Sequence, residues 1–388
     1  MSVMESRFGG PAWARWNDGQ ERRYTVGAEE EAMLLRPPSL ALAQASDAVL
    51  GQLSGGLAGH AAAETHAAVV ELMTGVHGDI HGAVEELAGL RAELARELRP
   101  LGLTAASAGT YPLASHGENR VSGLARYRQV ADSMRALARR EPTLALHVHV
   151  GVPDAGDAVR VLNGLREAVP LLLALSANSP FSQGRDTGFA SARTVIFQSF
   201  PRTGTARAFA GYRDYVRAVD ALIGSGALPD PSFLWWDVRL QPKLGTVEVR
   251  VMDAQSNVAD SAALIALVQS LVRLELEGDA PPAGDVGPEV LAENRFLAAR
   301  DGSEARLIDP ARRELVPLRR LVDELLTRCL PHAEALGCAG ELEHARRLAT
   351  ANGADRQRFR AREPGGLRGL VGTMCERFSA ERALGVPA

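Results

Sequence analysis

The most constraining feature of this sequence is a set of charged residues placed inside apolar, strand-like segments. The first segment, GAEEEAMLL at 27–35, carries three consecutive carboxylates before an apolar run. Because side chains alternate between the two faces of a strand, Glu29 and Glu31 share one face and Glu30 points to the other. An unpaired charge is costly in a low-dielectric interior, so such residues bind a metal, pair with a cation or face water. The chain must therefore fold so that one face of this strand is polar.

Three further apolar segments show the same alternation. Their polar residues are Glu71 in VVELM, His147 and His149 in LHVHV, and Glu248 and Arg250 in VEVRV. In each segment the polar side chains share one face, and apolar side chains occupy the other. Oxygen-rich sites with occasional imidazole suit Mg²⁺ or Mn²⁺. The pattern therefore favours two or more such cations, bound together with a nucleotide phosphate.

Each motif also has an ordinary alternative. A lone glutamate in a strand, such as Glu71, usually faces solvent. The two histidines could form a hydrogen-bonded pair, the Glu–Arg pair of VEVRV a solvated sheet edge, and the acidic run a surface patch. Four strands with the same reversal of polarity favour a shared site instead. Parity leaves Glu30 beside Ala28 and Ala32, where an arginine from a covering helix is one candidate partner.

Strand-like and helix-like segments alternate along the chain. Strands are predicted at 23–35, 66–73, 104–110, 144–151, 234–241 and 245–253, and helices at 39–54, 79–99, 123–140, 156–177 and 205–223. A strand-rich layer covered by helices is an α+β architecture. The predicted organisation is a flexible leader at 1–22 and a single domain at 23–388, with a sheet-forming core at about 23–256 and a mostly helical part at 257–388, interrupted by a Pro/Gly-rich loop at 279–288.

Arginines near these motifs suit an anionic substrate. The turn-rich loop at 178–193 contains Arg185 and Arg193, and a guanidinium group can bind two oxygens of a carboxylate or phosphate at once. Arg202 is more simply explained by a surface salt bridge. The WWDVR cluster at 235–239 either lines a pocket or packs within the sheet. We therefore expect arginines of this region to contact an anionic substrate.

The composition argues against several kinds of partner. A formal net charge of -4 without a basic stripe argues against nucleic acid. No apolar run approaches the roughly 18–20 residues of a membrane span, and no signal peptide is recognisable. Cys329, Cys338 and Cys375 lack CxxC spacing, which argues against a disulfide framework or a zinc site. We therefore expect a cytoplasmic protein that acts on small molecules and has no membrane partner.

Six blocks of sequence follow one another between about 24 and 302. They are YTVGAEEEAMLL, VVELMTGVHGDI, LHVHVGV, LSANSPFSQGRDTGFASAR, WWDVRLQPKLGTVEVRVMDA and AENRFLAARDG. In this order they resemble the successive blocks of the carboxylate–amine ligases of the type 2 glutamate–cysteine ligase family. The helical remainder is compatible with that family but carries less information.

The resemblance implies a glutamine-synthetase-like fold, in which a curved antiparallel sheet covered by helices holds divalent metals between ATP and an amino acid. It assigns the metal ligands to Glu29, Glu31, Glu71, His147 and Glu248. It places His149 and Arg250 near the carboxylate substrate and the acyl phosphate, with Arg193 and Arg185 as further substrate contacts. The implied cofactors are ATP and Mg²⁺ (or Mn²⁺), and a homodimer is plausible.

The implied reaction needs no covalent nucleophile. A carboxylate is a poor electrophile, so the γ-phosphoryl group of ATP is transferred to it and an amine then displaces phosphate, with Arg250 stabilising the developing charge. The resemblance points to the γ-carboxyl group of L-glutamate and leaves the amine open, with L-cysteine as one candidate. Three alternatives remain: an amine or guanidine kinase, a metal-dependent hydrolase that needs no ATP, and a binding protein without turnover.

Overall fold

A computed structural model describes residues 10–114, 119–279 and 286–380 of the 388-residue chain. The strands are β1 (Val26–Arg36), β2 (Ala41–Leu42), β3 (Ala61–Ala63), β4 (Val69–Met73), β5 (Thr104–Ala106), β6 (Ala145–Gly151), β7 (Phe181–Ser182), β8 (Arg185–Asp186), β9 (Thr203–Gly204), β10 (Trp235–Trp236), β11 (Val238–Gln241), β12 (Thr246–Asp253), β13 (Arg306–Asp309) and β14 (Glu314–Pro317). The helices are α1 (Ser46–Leu50), α2 (Gly55–Ala58), α3 (Ile80–Leu98), α4 (Ala125–Met134), α5 (Ala155–Ser176), α6 (Ala192–Phe197), α7 (Tyr212–Gly224), α8 (Val258–Glu277), α9 (Pro288–Asp301), α10 (Leu318–Leu336), α11 (Ala339–Leu348), α12 (Gly353–Ala361) and α13 (Gly366–Phe378). The α+β class predicted from the sequence is confirmed.

One eight-stranded antiparallel sheet organises these elements. Its main path runs β11-β12-β6-β1-β4-β3, and β2 and β5 also pair with β1. The long strand β1 lies at the centre, with β6 on one side and β4 on the other. The four strands that carry the polar motifs are therefore consecutive neighbours.

The apolar face of the sheet packs against helices. Leu146, Val148 and Val150 of β6 are fully buried in one core cluster, together with Val247 and Val249 of β12. Helices α5 and α8 cover this face. Because each fully buried valine or leucine contributes about 1.5–3 kcal/mol relative to an exposed one, burial on this scale fixes which face of each strand is inside.

Helix α8 is buried on nearly all sides, since it lies between the sheet and helices α5, α10 and α11. Its ends are well defined. The side chain of Asn257 accepts a hydrogen bond from the backbone N–H of Asp260 at the start, and Gly278 ends the helix with φ of 76°. Among the described residues, no helix combines the length and hydropathy needed to cross a bilayer.

Two predicted helices are shorter than expected near the site. The predicted helix at 39–54 is wrong over most of its length, because a turn with Leu40 at φ of 59° leads into β2 and only α1 is helical. The predicted helix at 205–223 begins only at Tyr212. The preceding segment is held extended by Asn163, whose side chain bonds both the N–H and the C=O of Phe209.

The predicted strand at 234–241 is interrupted at Asp237. β10 pairs with β9 in a separate two-stranded sheet, whereas β11 joins the main sheet. The carboxylate of Asp237 accepts two hydrogen bonds from Arg295 of α9, at 2.8 and 3.1 Å. This ion pair holds the chain at the point where it leaves one sheet for the other.

The C-terminal part contains a hairpin that the sequence analysis missed. β13 and β14 pair between α9 and α10, within a region predicted to be nearly all helical. The turn is fixed by Asp309, whose carboxylate accepts a hydrogen bond from the N–H of Arg312, and by Arg313 at φ of 55°. Of the predicted loop at 279–288, residues 280–285 lie outside the described residues.

Part of the predicted leader packs on the rest of the chain. Trp16 is buried, and its indole N–H donates to the carbonyl of Val152 at 3.2 Å. Trp13 donates to Asp220 and lies edge-on to Tyr215. Residues 10–22 are thus part of the packed structure, and residues 1–9 lie outside the described residues.

Candidate active site

Strand register brings the polar motifs together on one face of the sheet. The register pairs are Glu31 with Glu71 between β1 and β4, Glu29 with His147 between β1 and β6, and His149 with Glu248 between β6 and β12. Residues paired directly across antiparallel strands have Cβ atoms about 4.5–5.5 Å apart. The predicted ligands therefore meet because each belongs to a strand that neighbours the next.

Glu29 lies at the centre of this cluster. Its Oε2 is 3.1 Å from Nδ1 of His147, and its Oε1 is 3.3 Å from Nε2 of His149. Glu71 approaches His147 to 3.8 Å, and Glu248 approaches His149 to 3.9 Å. The five side chains form one connected set of oxygen and nitrogen donors.

Three groups of side chains in and beside this set have ligand atoms that lie within 4.8 Å of one another. They are Glu29, His149 and Glu248; Glu29, Glu71 and His147; and Glu31, Glu64 and Glu71. Nε2 of His149 is buried and makes no hydrogen bond, although Glu29 lies nearby. Carboxylates with one or two imidazoles are a donor set for Mg²⁺ or Mn²⁺, so the residues present fit divalent cations.

Glu31 and Glu71 lie where a negative charge is disfavoured. Burial and the neighbouring carboxylate of Glu64 raise the pKa of Glu31 to about 8, although the N–H of Ala145 donates to it at 2.8 Å. Burial and the charges of Glu29 and Glu64 also raise the pKa of Glu71 well above its usual range. A bound cation would relieve this repulsion, which is a second reason that the site fits a metal.

The pKa values of the two histidines are shifted in opposite directions. Burial and the positive charge of Arg250 lower the pKa of His147 to about 4, so this imidazole is neutral near pH 7. Burial also disfavours the charged form of His149, but the charges of Glu248 and Glu29 outweigh it and raise the pKa of this group. Burial opposes ionisation of Glu29 as well, yet His149 and His147 hold its pKa well below its usual range. His147 is therefore ready to act as a neutral ligand.

Several side chains donate hydrogen bonds to Glu248. Two of them, Arg239 and Gln241, were not among the residues predicted for the site. Arg239 donates to it from Nε at 2.9 Å and from Nη2 at 3.1 Å, and Gln241 donates at 2.6 Å. Arg250 also contacts Glu248 and lies 3.4 Å from Nδ1 of His147. Arg239 and Arg250 hold the pKa of Glu248 low despite its complete burial. The carboxylate is therefore ionised and fixed in place.

Arg193 lies beside Arg250 in the first turn of α6. Its Nη1 and Nη2 donate to the carbonyls of Val251 and Arg250 at 2.9 and 3.1 Å, and its Nη1 is 3.7 Å from Asp253. Its Nε is buried without a hydrogen-bond partner, as is Nε of Arg250. A substrate anion would accept hydrogen bonds from these two unsatisfied donors, which lie near the carboxylates. The anion-binding role of Arg193 itself stays a prediction.

The structure does not bring Arg185 into the cluster. Positive φ angles at Gln183 and Gly184 form a tight hairpin between β7 and β8, which leaves Arg185 exposed. Its charge acts on Glu141 instead. No described hydrogen bond or ion pair joins it to the residues around Glu29, so its predicted substrate contact is not supported by the geometry.

Glu30 has the partner that parity suggested. Arg91 of the covering helix α3 donates to it from Nε at 2.5 Å, and Ser261 of α8 donates at 2.9 Å. Both members of the ion pair are fully buried. The middle carboxylate of the acidic run is thus a structural link between β1 and two helices.

A cavity of about 70 Å³ opens beside the cluster. Glu31, His147 and Arg250 line it on the side of the cluster. The remaining lining residues are Glu64, Thr65, His66, Val130, Thr143, Ala145, Arg193, Phe197, Phe200 and Trp235. The donor cluster therefore borders this cavity directly.

The antiparallel sheet with carboxylates, imidazoles and arginines on one face belongs to a fold that is known from solved structures. The crystal structure of a glutamate–cysteine ligase from Francisella tularensis in complex with AMP has a TM-score of 0.69 with this chain at 14% identity, covering 94% of this chain and 90% of that one. A bifunctional glutathione synthetase from Pasteurella multocida has a TM-score of 0.65 at 14% identity, covering 92% of this chain and 52% of that one. These likenesses confirm the predicted fold class.

The chain belongs to glutamate–cysteine ligase family 2, whose model matches residues 25–376. A protein of Rubrobacter xylanophilus named "Putative glutamate--cysteine ligase 2-3" is 39% identical over 375 residues, covering 96% of this chain and 99% of the relative. A similarly named protein of Jannaschia sp. is 35% identical over 340 residues, covering 87% and 90%. The resemblance seen in the six sequence blocks is confirmed, and the chain is an ATP-dependent ligase that forms an amide bond.

Proposed function

We propose that this ligase activates the γ-carboxyl group of L-glutamate as an acyl phosphate and joins it to a primary amine, releasing ADP and phosphate. L-cysteine, which would give γ-glutamylcysteine, is one candidate amine. The observation that carries the proposal is the donor cluster around Glu29, set beside Arg193 and Arg250, whose buried Nε atoms have no partner. This combination suits a substrate that brings phosphate and carboxylate oxygens together.

The proposed metal ligands are the side chains that the register gathers: Glu29, Glu31, Glu71, His147 and Glu248, with His149 next to them. Bound Mg²⁺ or Mn²⁺ would neutralise the negative charge of the phosphate oxygens. Arg239 and Gln241 position Glu248 by hydrogen bonds, so that its oxygens keep one orientation. His147 is held neutral by burial and by Arg250, which keeps its lone pair available.

The reaction is balanced in two displacements. A carboxylate oxygen of the donor forms a bond to the γ-phosphorus of ATP, and the bond to the bridging oxygen breaks to release ADP. The amine nitrogen then forms a bond to the acyl carbon, the carbon–oxygen bond to phosphate breaks, and the amine proton passes to solvent or phosphate. We assign to Arg250 the stabilisation of the charge that develops in both steps, because a preorganised guanidinium stabilises such charge without reorganisation.

The alternatives differ in their products. A kinase would release a phosphorylated acceptor and no free phosphate, and a hydrolase would act without ATP. Family membership favours the ligase over both. All five proposed ligands are present and gathered in one place, which a binding protein without turnover would not require.

Two further expectations accompany this proposal. We propose a cytoplasmic location, in keeping with the free thiols of Cys329, Cys338 and Cys375. A homodimer stays a prediction.

The test is phosphate release from ATP and Mg²⁺ by the purified protein, with L-glutamate alone and with L-cysteine or other amines, followed by mass spectrometry. The expected result is phosphate release that depends on both acid and amine, with a product at the summed mass minus water. A phosphorylated amine without free phosphate would support the kinase instead. Breakdown of an amide without ATP would support the hydrolase.

A further inference from the structure

Three aromatic residues line one part of the cavity. Phe197 and Phe200 have ring centroids 5.7 Å apart, and Trp235 lies 6.4 and 6.3 Å from them. All three side chains are only partly buried, and Val130 completes the same lining. We call these four residues the aromatic wall. Partly open aromatic surface beside a reactive centre is typical of a ligand-binding pocket.

An imidazole of the cavity lining also has an unsatisfied nitrogen. Nε2 of His66 is buried without a hydrogen-bond partner, and His66 as a whole is 7% exposed. A buried polar atom without a partner costs about 1–3 kcal/mol, so such an atom in a cavity lining indicates a ligand group that satisfies it. His66 therefore offers one hydrogen-bonding position in the cavity that the aromatic wall lines.

The charged groups of the cavity are already assigned to the acyl donor. The terminal nitrogens of Arg193 donate to backbone carbonyls, and Arg250 contacts Glu248. Only the Nε atoms of these two arginines remain without partners, and they lie next to the donor cluster. Among the described residues that line the cavity, no other arginine or lysine is left to pair with a second carboxylate, such as that of an α-amino acid acceptor.

Resting on the function proposed above, we infer that the acceptor is a primary amine with an apolar, preferably aromatic, substituent and no carboxylate. Its nitrogen lies on the side of the cavity that Glu64 lines. Its substituent packs against the aromatic wall, and His66 takes at most one polar group of it. The adenine ring of ATP is the competing occupant of this wall.

The test compares nucleophiles in saturating ATP, Mg²⁺ and L-glutamate. Hydroxylamine traps an activated acyl group without needing the wall, whereas phenethylamine, isopentylamine and L-cysteine need a place for their substituents. We expect kcat/KM for phenethylamine to exceed that for L-cysteine at least tenfold. In Trp235→Ala the ratio of kcat/KM for phenethylamine to that for hydroxylamine should fall at least tenfold, and Trp235→Phe should recover most of it.

Phe296→Ala is the matched control, since Phe296 is 43% exposed and pairs with Phe189 away from the cavity. It should keep the wild-type ratio. Equal or better use of L-cysteine, an unchanged ratio in Trp235→Ala, or a selective rise of KM for ATP in that variant would each overturn the inference. If Trp235→Ala does not fold, the same ratio is measured in Phe200→Leu, where the same fall is expected. Absence of hydroxamate in the wild type would instead refute the ligase proposal, and this inference with it.

Discussion

Replacing Arg91 by methionine should destabilise the protein strongly, although Arg91 is far in sequence from every proposed ligand. In the native structure Arg91 bonds Glu30 through Nε at 2.5 Å and the carbonyl of Gln255 at 2.8 Å, and it lies 5.2 Å from the ring of Phe378. The Arg91→Met variant keeps most of the apolar volume but leaves the Glu30 carboxylate buried with Ser261 as its remaining hydrogen-bond donor. The loss of stability therefore comes mainly from the buried charge of Glu30, which no longer has a cationic partner.

The expected loss is about 3–5 kcal/mol in the free energy of unfolding, because breaking a buried ion pair from one side leaves a charge without compensation. Urea unfolding followed by circular dichroism measures it. Arg96→Met is the matched control on the same helix, since Arg96 is 68% exposed and its pair with Glu93 should contribute about 0–1 kcal/mol.

A second variant separates loss of the pair from loss of charge balance. The double substitution Glu30→Leu with Arg91→Met removes both charges, so it should be at least about 2 kcal/mol more stable than Arg91→Met alone. A loss below about 1 kcal/mol in Arg91→Met, or a double variant no better than the single one, would refute the reasoning.

The remaining predictions concern the site and one distant carboxylate. Glu29→Gln should abolish ATP-dependent phosphate release while circular dichroism stays unchanged; wild-type turnover in saturating Mg²⁺ would show that the ligand assignment is wrong. Arg250→Lys should lower kcat more than it raises KM for ATP, because an ammonium cannot replace the planar fork, and equal effects on both would contradict a role in the transition state. Burial, only partly offset by Arg160, raises the pKa of Glu275 to about 7 in the folded chain. The native state therefore holds this proton more tightly than the unfolded state, and stability is lost as the pH rises from about 4.5 through 7. Glu275→Gln should raise the free energy of unfolding at pH 8 by on the order of 1 kcal/mol, after allowance for solvent screening, and should change it little at pH 4. Urea unfolding at the two pH values measures the difference, and equal effects would contradict the shift.

The face shared by the proposed ligands could be predicted from sequence because it depends only on the two-residue period of a strand. Glu29, His147 and Glu248 needed no knowledge of strand order to be placed on the polar side of their strands. The same rule put Glu30 on the opposite side and suggested an arginine from a covering helix, which the structure identifies as Arg91.

The missed residues depend on tertiary arrangement. Glu64 lies between β3 and β4, outside any strand, so period-two alternation does not apply to it. Arg239 had a usable signal: a hairpin closed by PKLG pairs position 239 with 248, which the structure shows. The position of Arg185 outside the cluster could not be predicted, since its presence in a loop rich in turn residues said nothing about the direction in which the hairpin points; its contact with substrate stays a prediction.

Errors in the predicted elements arose where local backbone geometry overrides composition. The segment at 39–54 contains good helix formers, yet the positive φ of Leu40 and the pairing of β2 with β1 exclude a continuous helix. The hairpin of β13 and β14 is only four residues per strand, too short for a periodic signal.

The interruption at Asp237 separates two tasks that a single continuous strand would have combined. Trp235 and the two phenylalanines stand on segments outside the eight-stranded sheet, whereas the proposed metal ligands of β1, β4, β6 and β12 stand within it. The pair of Asp237 with Arg295 holds the junction between them. Side chains of the aromatic wall can therefore be exchanged without disturbing the register that assembles the donor cluster, so descendants of one catalytic sheet can diverge in the amines they accept.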